Sequence, residues 1–182
     1  QTTALAASNR LDYLRGDRTN EITSSGTGLY RQRTSVLGDI IDSSPTWVGP
    51  PAAPYAGTWR DSLYSTSTPP ENAGQSYSSF IAANNARLNV VYVGADDGLL
   101  HGFRAGAYDS SGNFVNNLTY PNDGKEVLAY MPAPVVQTIH SATASADYSS
   151  AQYAHAYSVN GTPYAGELFY SGAWHTWLVG GL

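Results

Sequence analysis

The sequence has no cysteine, which excludes a disulfide framework and a thiol nucleophile while leaving the cellular compartment open. Lysine is almost missing: Lys125 is the single one, and the formal net charge is −5. A protein that grips nucleic acid by its phosphates needs a basic stripe, so that class is excluded. Charged residues make up 13% of the chain, about half of the roughly 25% usual for soluble domains. No apolar run approaches the length needed to span a bilayer. Nor does the start read as a signal peptide, since Gln1 opens into an alanine-rich polar segment; the numbering is expected to begin on a mature or trimmed chain.

What fills the space is tyrosine (14 residues) and glycine (18), with serine and threonine. This palette suits a β-rich protein outside the cytoplasm, and 182 residues suffice for one domain with a core. The most informative stretch is Leu88 to Ala105, LNVVYVGADDGLLHGFRA. Val90 to Val93 are β-branched or aromatic and read as a buried strand. Asp97-Gly98 supplies the positive φ of a tight reversal, expected at an exposed tip, and Leu99 to Arg104 returns. Tyr92, Leu99 and Phe103 are expected to be largely buried.

A lone hairpin is marginal in water and needs neighbours. Ser43 to Gly49 reads as a short strand entered through Pro45, and Lys125 to Tyr130 as another, closed by Met131-Pro132. Strand, long insertion, hairpin and strand predict a four-stranded antiparallel sheet, the unit of a β-propeller blade. Before it, Ala4 to Leu14 carries Leu5, Ala7, Leu11 and Leu14 at near-helical spacing, with Gly16 positioned to end a short helix. Residues 17–28 read as a polar connector. The proline-rich stretch Pro50 to Gly74 reads as a surface excursion too polar to bury. One helical turn is expected around Phe80-Ile81, a second excursion at Tyr108 to Gly124, and weak helical character near Val135, Val136 and Ile139. Finally, Ala154 to Gly161 reads as a strand, and Trp174 to Gly181 echoes Asn89 to Ala95, an internal repeat in which the chain stops where a second hairpin should turn back.

Two motifs, LGDIIDSSPTWVG at Leu37 to Gly49 and NVVYVGADDGLLHGF at Asn89 to Phe103, resemble the C-terminal quinoprotein-like propeller of the PilC/PilY family, whose members are associated with type IV pilus tips. YLRGDR at Tyr13 to Arg18, EVLAYMP at Glu126 to Pro132 and HTWLVGGL at His175 to Leu182 match in the same order. The resemblance implies an all-β partial propeller: a helix and connector over residues 1–30, then residues 31–182 as its first part, incomplete at the C-terminus. It also implies a non-enzymatic surface protein of a Gram-negative bacterium, at the pilus tip or outer membrane, serving adhesion and pilus biogenesis. Its partners would be minor pilins or the pilus tip complex, a host-cell surface, and the rest of its own propeller. Calcium loops known in the family would lie elsewhere in the full-length protein, because Asp96-Asp97-Gly98 is too short to surround an ion. The blade repeats are also similar to those of quinone-dependent dehydrogenases, and a carbohydrate-binding propeller is a third reading. Fold likeness does not carry activity across.

No residue stands out as catalytic, cofactor-binding or metal-binding. His101, His140, His155 and His175 show no metal-ligand spacing, and His101 is expected to donate to a neighbouring carbonyl. No Gly-x-Ser-x-Gly elbow is present. Asp96 and Asp97 read as turn chemistry, Asp39 and Asp42 as caps of loop amides, and Trp174 and Trp177 as packing between blades rather than a sugar platform. Asn117-Leu118-Thr119 and Asn160-Gly161-Thr162 are sequons without meaning in a bacterium. Arg15-Gly16-Asp17 spells the tripeptide read by integrins and is a candidate receptor contact. Tyr55, Tyr64 and Tyr108, on the two excursions, are candidate partner contacts, because tyrosine offers contact area at little entropic cost.

Overall fold

The computed structural model describes residues 3–60, 62, 63, 66, 68–72 and 74–182. The β-branched run forms β2 (Val90–Gly94), which returns as β3 (Leu100–Arg104) in strict antiparallel register from Val90↔Arg104 to Gly94↔Leu100. On one side β1 (Thr46–Val48) pairs with β2 through Trp47↔Val91. The small hairpin of β4 (Ala107–Tyr108) and β5 (Phe114–Val115) interrupts the chain before β6 (Glu126–Tyr130) closes the other side of the sheet. A bulge between Gly102 and Phe103 shifts the register there by one residue. The sheet order β1-β2-β3-β6 is the meander expected from the sequence, one complete propeller blade.

The hairpin tip corrects one expectation. Asp97 and Gly98 are buried, not exposed: α3 (Ala133–Ile139) lies against Gly98, and the segment before β1 is bonded to Asp97 through Gly38 N. Gly98 sits at φ +86°, and a Cβ there would stand 2.7 Å from Ile139 Cδ1 and 2.8 Å from Val135 Cγ1. Position 98 is thus restricted twice, by backbone conformation and by the helix above it. Tyr92, Leu99 and Phe103 are only half-buried; Val90, Val93 and Ala95 are the buried hydrophobic residues of the hairpin.

The strand that opens the second unit is also placed differently. Ala154 to Gly161 is irregular rather than a strand. The strand opening the second unit is β7 (Tyr164–Tyr170), and β8 (Ala173–Val179) is its return, paired in seven positions from Tyr164↔Val179 to Tyr170↔Ala173. The turn is complete at Ser171-Gly172, both with positive φ. The internal repeat therefore aligns β7 with β1 and β8 with β2, each first strand entered through a hydroxyl residue and proline, Ser44-Pro45 and Thr162-Pro163. These two entries interlock: Ser44 N donates to Thr162 Oγ1 (2.9 Å), Thr46 Oγ1 to Pro163 O (2.5 Å), and Gly94 N to Ser43 Oγ (2.9 Å). A Cβ on residue 94 would fall 2.1 Å from Val159 O, so glycine is required where the two blades touch.

At the N-terminus α1 (Thr3–Leu14) ends at Gly16, φ +102°, as its sequence indicates. Its anchor, however, is Tyr13, 1% exposed, whereas Leu11 is 47% exposed. Tyr13 meets Tyr30 and Tyr148 at ring-centroid distances of 5.1 and 6.2 Å, with Leu14, Ile139 and Tyr153 around them. The polar connector hides a buried ion pair. Arg33 Nε donates to Glu21 Oε1 at 2.7 Å, its remaining nitrogens reach Tyr13 O (2.9 Å) and Asp17 O (3.1 Å), and the guanidinium lies 3.8 Å from the Tyr13 ring centroid. Burial pushes the Glu21 carboxyl up, but hydrogen bonds from Arg33 and Arg18 outweigh it and hold the group below the usual range.

The proline-rich excursion is not wholly solvated either. Pro51 is buried, and Tyr55 and Trp59 pack with Tyr77 of α2 (Tyr77–Asn84), a helix of two turns capped by Ser76, against Trp174 of β8. Trp59 and Asn72 clasp the excursion shut through two hydrogen bonds of 2.6 Å, Trp59 N to Asn72 Oδ1 and Asn72 Nδ2 to Trp59 O.

Candidate functional site

The chemistry-bearing side chains gather at the buried hairpin tip. The two aspartates point apart, as adjacent turn residues must. Asp97 Oδ1 accepts from Leu99 N (3.1 Å), the turn role expected of it, while Oδ2 accepts from Gly38 N (2.9 Å) and so ties the segment before β1 to the tip. His101, on β3 two residues beyond Leu99, reaches both carboxylates beside it: Nε2 lies 3.1 Å from Asp97 Oδ2 and Nδ1 2.5 Å from Glu126 Oε1. It bonds to carboxylates, not to the carbonyl expected. Burial alone would lower its pKa, but the two acids prevail and raise it above the ordinary histidine value. This group borders a cleft of about 290 Å³ lined by Leu14, Val36, Leu37 and Phe103.

On the opposite side of the 36–38 segment, Asp96 faces a second, smaller cleft of about 100 Å³. Asp96 Oδ1 accepts from Ser158 N (3.1 Å); Oδ2 is buried and has no hydrogen-bond partner. His155 Nε2 stands 3.5 Å from Asp96 Oδ2 and 3.3 Å from Asp39 Oδ2. The Asp39 side chain is 70% exposed and caps no loop amide; its backbone carbonyl accepts from Asp96 N instead. Asp42 Oδ2 accepts from the Asn160 side chain (3.3 Å). Among the described residues no group of three or more His, Asp or Glu is arranged to hold a metal ion.

A third cluster, Arg10, His140 and Asp147, clips α1 to the segment after α3. Although burial opposes ionisation, hydrogen bonds from Ser149, Arg10 and His140 pull the Asp147 carboxyl down to about 2. Of these five histidine–carboxylate contacts, only that of Asp97 and His101, four apart across a turn, is suggested by spacing.

Of the candidate contact residues, Arg15 and Asp17 are exposed on the turn that ends α1. Asp17 Oδ1 accepts from Thr19 N (2.6 Å), and the Thr19 hydroxyl together with this amide holds the carboxyl below its usual value. The Tyr55 hydroxyl donates to Glu167 O (2.5 Å), so this tyrosine braces the two blades while leaving 39% of its surface exposed. Tyr108 is half-buried, edge-on to both Trp47 and Phe114. Tyr64 lies outside the described residues. Trp174 is packed between the blades, as expected; Trp177 is on the opposite face of β8, 46% exposed beside Tyr170.

The family model for the PilY1 beta-propeller domain matches residues 37–182. Across 174 residues, 96% of this chain, the sequence is 37% identical to the type IV pilus biogenesis factor PilY1 of Pseudomonas aeruginosa strain PAK. It is 32% identical over 180 residues to the PilY1 homolog of Xylella fastidiosa strain Temecula1. In both cases the chain spans 12% of the relative's length. No solved structure matches.

Proposed function

The chain belongs to the PilY1 β-propeller family, and from that premise we propose that it is one portion of a type IV pilus biogenesis factor, held at the cell envelope or pilus of a Gram-negative bacterium. The observation that carries this reading is the match over nearly the whole chain to relatives bearing that name, on a sheet whose strand order is that of a propeller blade. The portion described works by presenting surface on a rigid scaffold rather than by chemistry. Its strands support loops, and its histidine–carboxylate contacts tie segments together. Minor pilins or the tip complex are the partners this role requires.

Adhesion is the finer part of the proposal. It is supported by the exposure of Arg15 and Asp17 on a turn fixed by Gly16, and by the solvent-facing edge of the excursion beyond the Trp59–Asn72 clasp. Removing residues 37–182 from the full-length protein should reduce surface pili, counted by electron microscopy; undiminished piliation overturns the assignment. The double variant Arg15→Ala/Asp17→Ala should leave pili intact and reduce attachment to integrin-bearing cells, and unaltered attachment removes the turn from the reading. Purified full-length protein should show no quinone absorbance, whereas a bound quinone would make the propeller a dehydrogenase.

A further inference from the structure

We propose that the cleft between Asp39 and Asp96 is a seat for a protonated primary amine, the side chain of a lysine presented by a partner protein. The argument starts from Asp96. Its side chain is 2% exposed, its Oδ1 is used by Ser158 N, and its Oδ2 has no hydrogen-bond partner although it is buried. A buried carboxylate oxygen left unpaired is costly, and such an atom is retained where something else completes it. Asp39, at the rim, adds a second carboxylate. His155 Nε2 stands between the two at 3.3 and 3.5 Å, longer than the distances of charge-assisted bonds, so a closer donor can still be accepted there.

The other charges of the cleft are spent. Arg33 is paired with buried Glu21 and donates to two backbone carbonyls. Arg31 lies over the rings of Tyr148 and Tyr153, at 4.8 and 4.9 Å, and donates to Tyr148 O. The Asp39 carboxylate and Asp96 Oδ2 keep, among the described residues, only the long His155 contacts. The kind of cation follows from geometry. Among the described residues no three ligands converge closely enough for a metal ion, but an ammonium group needs only acceptors about 2.8 Å away in separate directions, which two carboxylates on different segments provide. A cleft of about 100 Å³ has room for a straight alkyl stem, and a compact ammonium with three donors can meet two carboxylates on separate segments at once. His155, 43% exposed in its side chain, is the group that gives way. This inference rests on the cleft alone and stands whether or not the protein is an adhesin.

The test is calorimetric titration of the full-length protein with Nα-acetyl-lysine methylamide, with n-butylamine and putrescine as free amines and Nα,Nε-diacetyl-lysine methylamide as the neutral control. Saturable binding in the millimolar range is expected for the lysine derivative and none for the neutral control. Asp39→Asn, an exposed substitution without risk to folding, should weaken binding several-fold. Asp96→Asn, which keeps the Ser158 contact, should weaken it at least tenfold while its melting temperature confirms a folded protein. Tighter binding of putrescine than of the lysine derivative would reassign the seat to a free diamine and overturn the partner. No saturable heat, equal binding of the neutral control, or wild-type affinity in both variants would overturn the seat itself.

Discussion

Replacing Arg33 with methionine isolates the buried charge in the connector. The side chains of Arg33 and Glu21 are 3% and 6% exposed, so the ordinary discount for solvent screening does not apply. Methionine keeps much of the stem's packing but leaves Glu21 with only the half-exposed Arg18, and strips donors from Tyr13 O and Asp17 O. Breaking one side of a buried pair costs about 3–5 kcal/mol. The substituted chain has a way out, since Glu21 can take up a proton. In the wild type the carboxyl is held low, so its contribution is present above its unfolded pKa and lost as pH falls through the folded value. The deficit of Arg33→Met should therefore be largest near neutrality and shrink as pH falls toward 4. Arg33→Met/Glu21→Gln should lose less than Arg33→Met alone, because no charge is stranded. Hydrogen exchange of the peptides spanning residues 13–33 in the full-length protein reads this locally, as acceleration of at least a hundredfold at pH 7, since about 1.4 kcal/mol is tenfold. Exchange within tenfold of wild type, or a deficit that grows in acid, would refute the reasoning.

Three further outcomes follow. Gly98→Val should cost about 1–3 kcal/mol and loosen α3, because it forces a β-branched residue to positive φ and drives its side chain into Ile139 and Val135; an unchanged melting temperature refutes it. His101 has a raised pKa, so the stability it contributes is complete below the unfolded value of 6.5 and is lost as pH rises through the higher folded one. His101→Gln should abolish that component of the melting-temperature profile between pH 5 and 9, and a wild-type profile in the variant would sink it. Trp174→Ala, removing a ring 9% exposed that meets Tyr55, Trp59, Tyr77 and Phe169, should cost about 3–5 kcal/mol by chemical denaturation and free the second hairpin to proteolysis, whereas resistance equal to wild type would show that the blades are held otherwise.

The blade was legible because its signals are local. β-branched residues at Val90 to Val93, a reversal at Asp97-Gly98 and prolines at strand entries all act within a few positions, and the register follows from them. What escaped depends on contacts between distant segments. Nothing near Gly98 announces that Val135 and Ile139 will cover it, and nothing near Tyr55 shows that Trp174 will meet it 119 positions later. β7 was missed because Tyr164 to Tyr170 contains glycine and glutamate, poor strand formers alone; the pairing with β8 stabilises it. The ion pair of Arg33 and Glu21 was hidden in a stretch whose polarity reads as solvated. Polarity alone does not tell a solvated charge from a paired one.

The Trp59–Asn72 clasp has a consequence for variation among such proteins. It joins the two ends of the segment between them by paired amide bonds, upstream of α2 and away from every strand register. Chain added inside the clasp costs only the slow logarithm of its length, about 0.6 kcal/mol for each doubling, and moves no residue of either blade. The segment is a socket for foreign sequence: a peptide epitope, an affinity tag or a whole small domain with adjacent termini could be seated there. Its length and sequence could change while the propeller beneath stays the same.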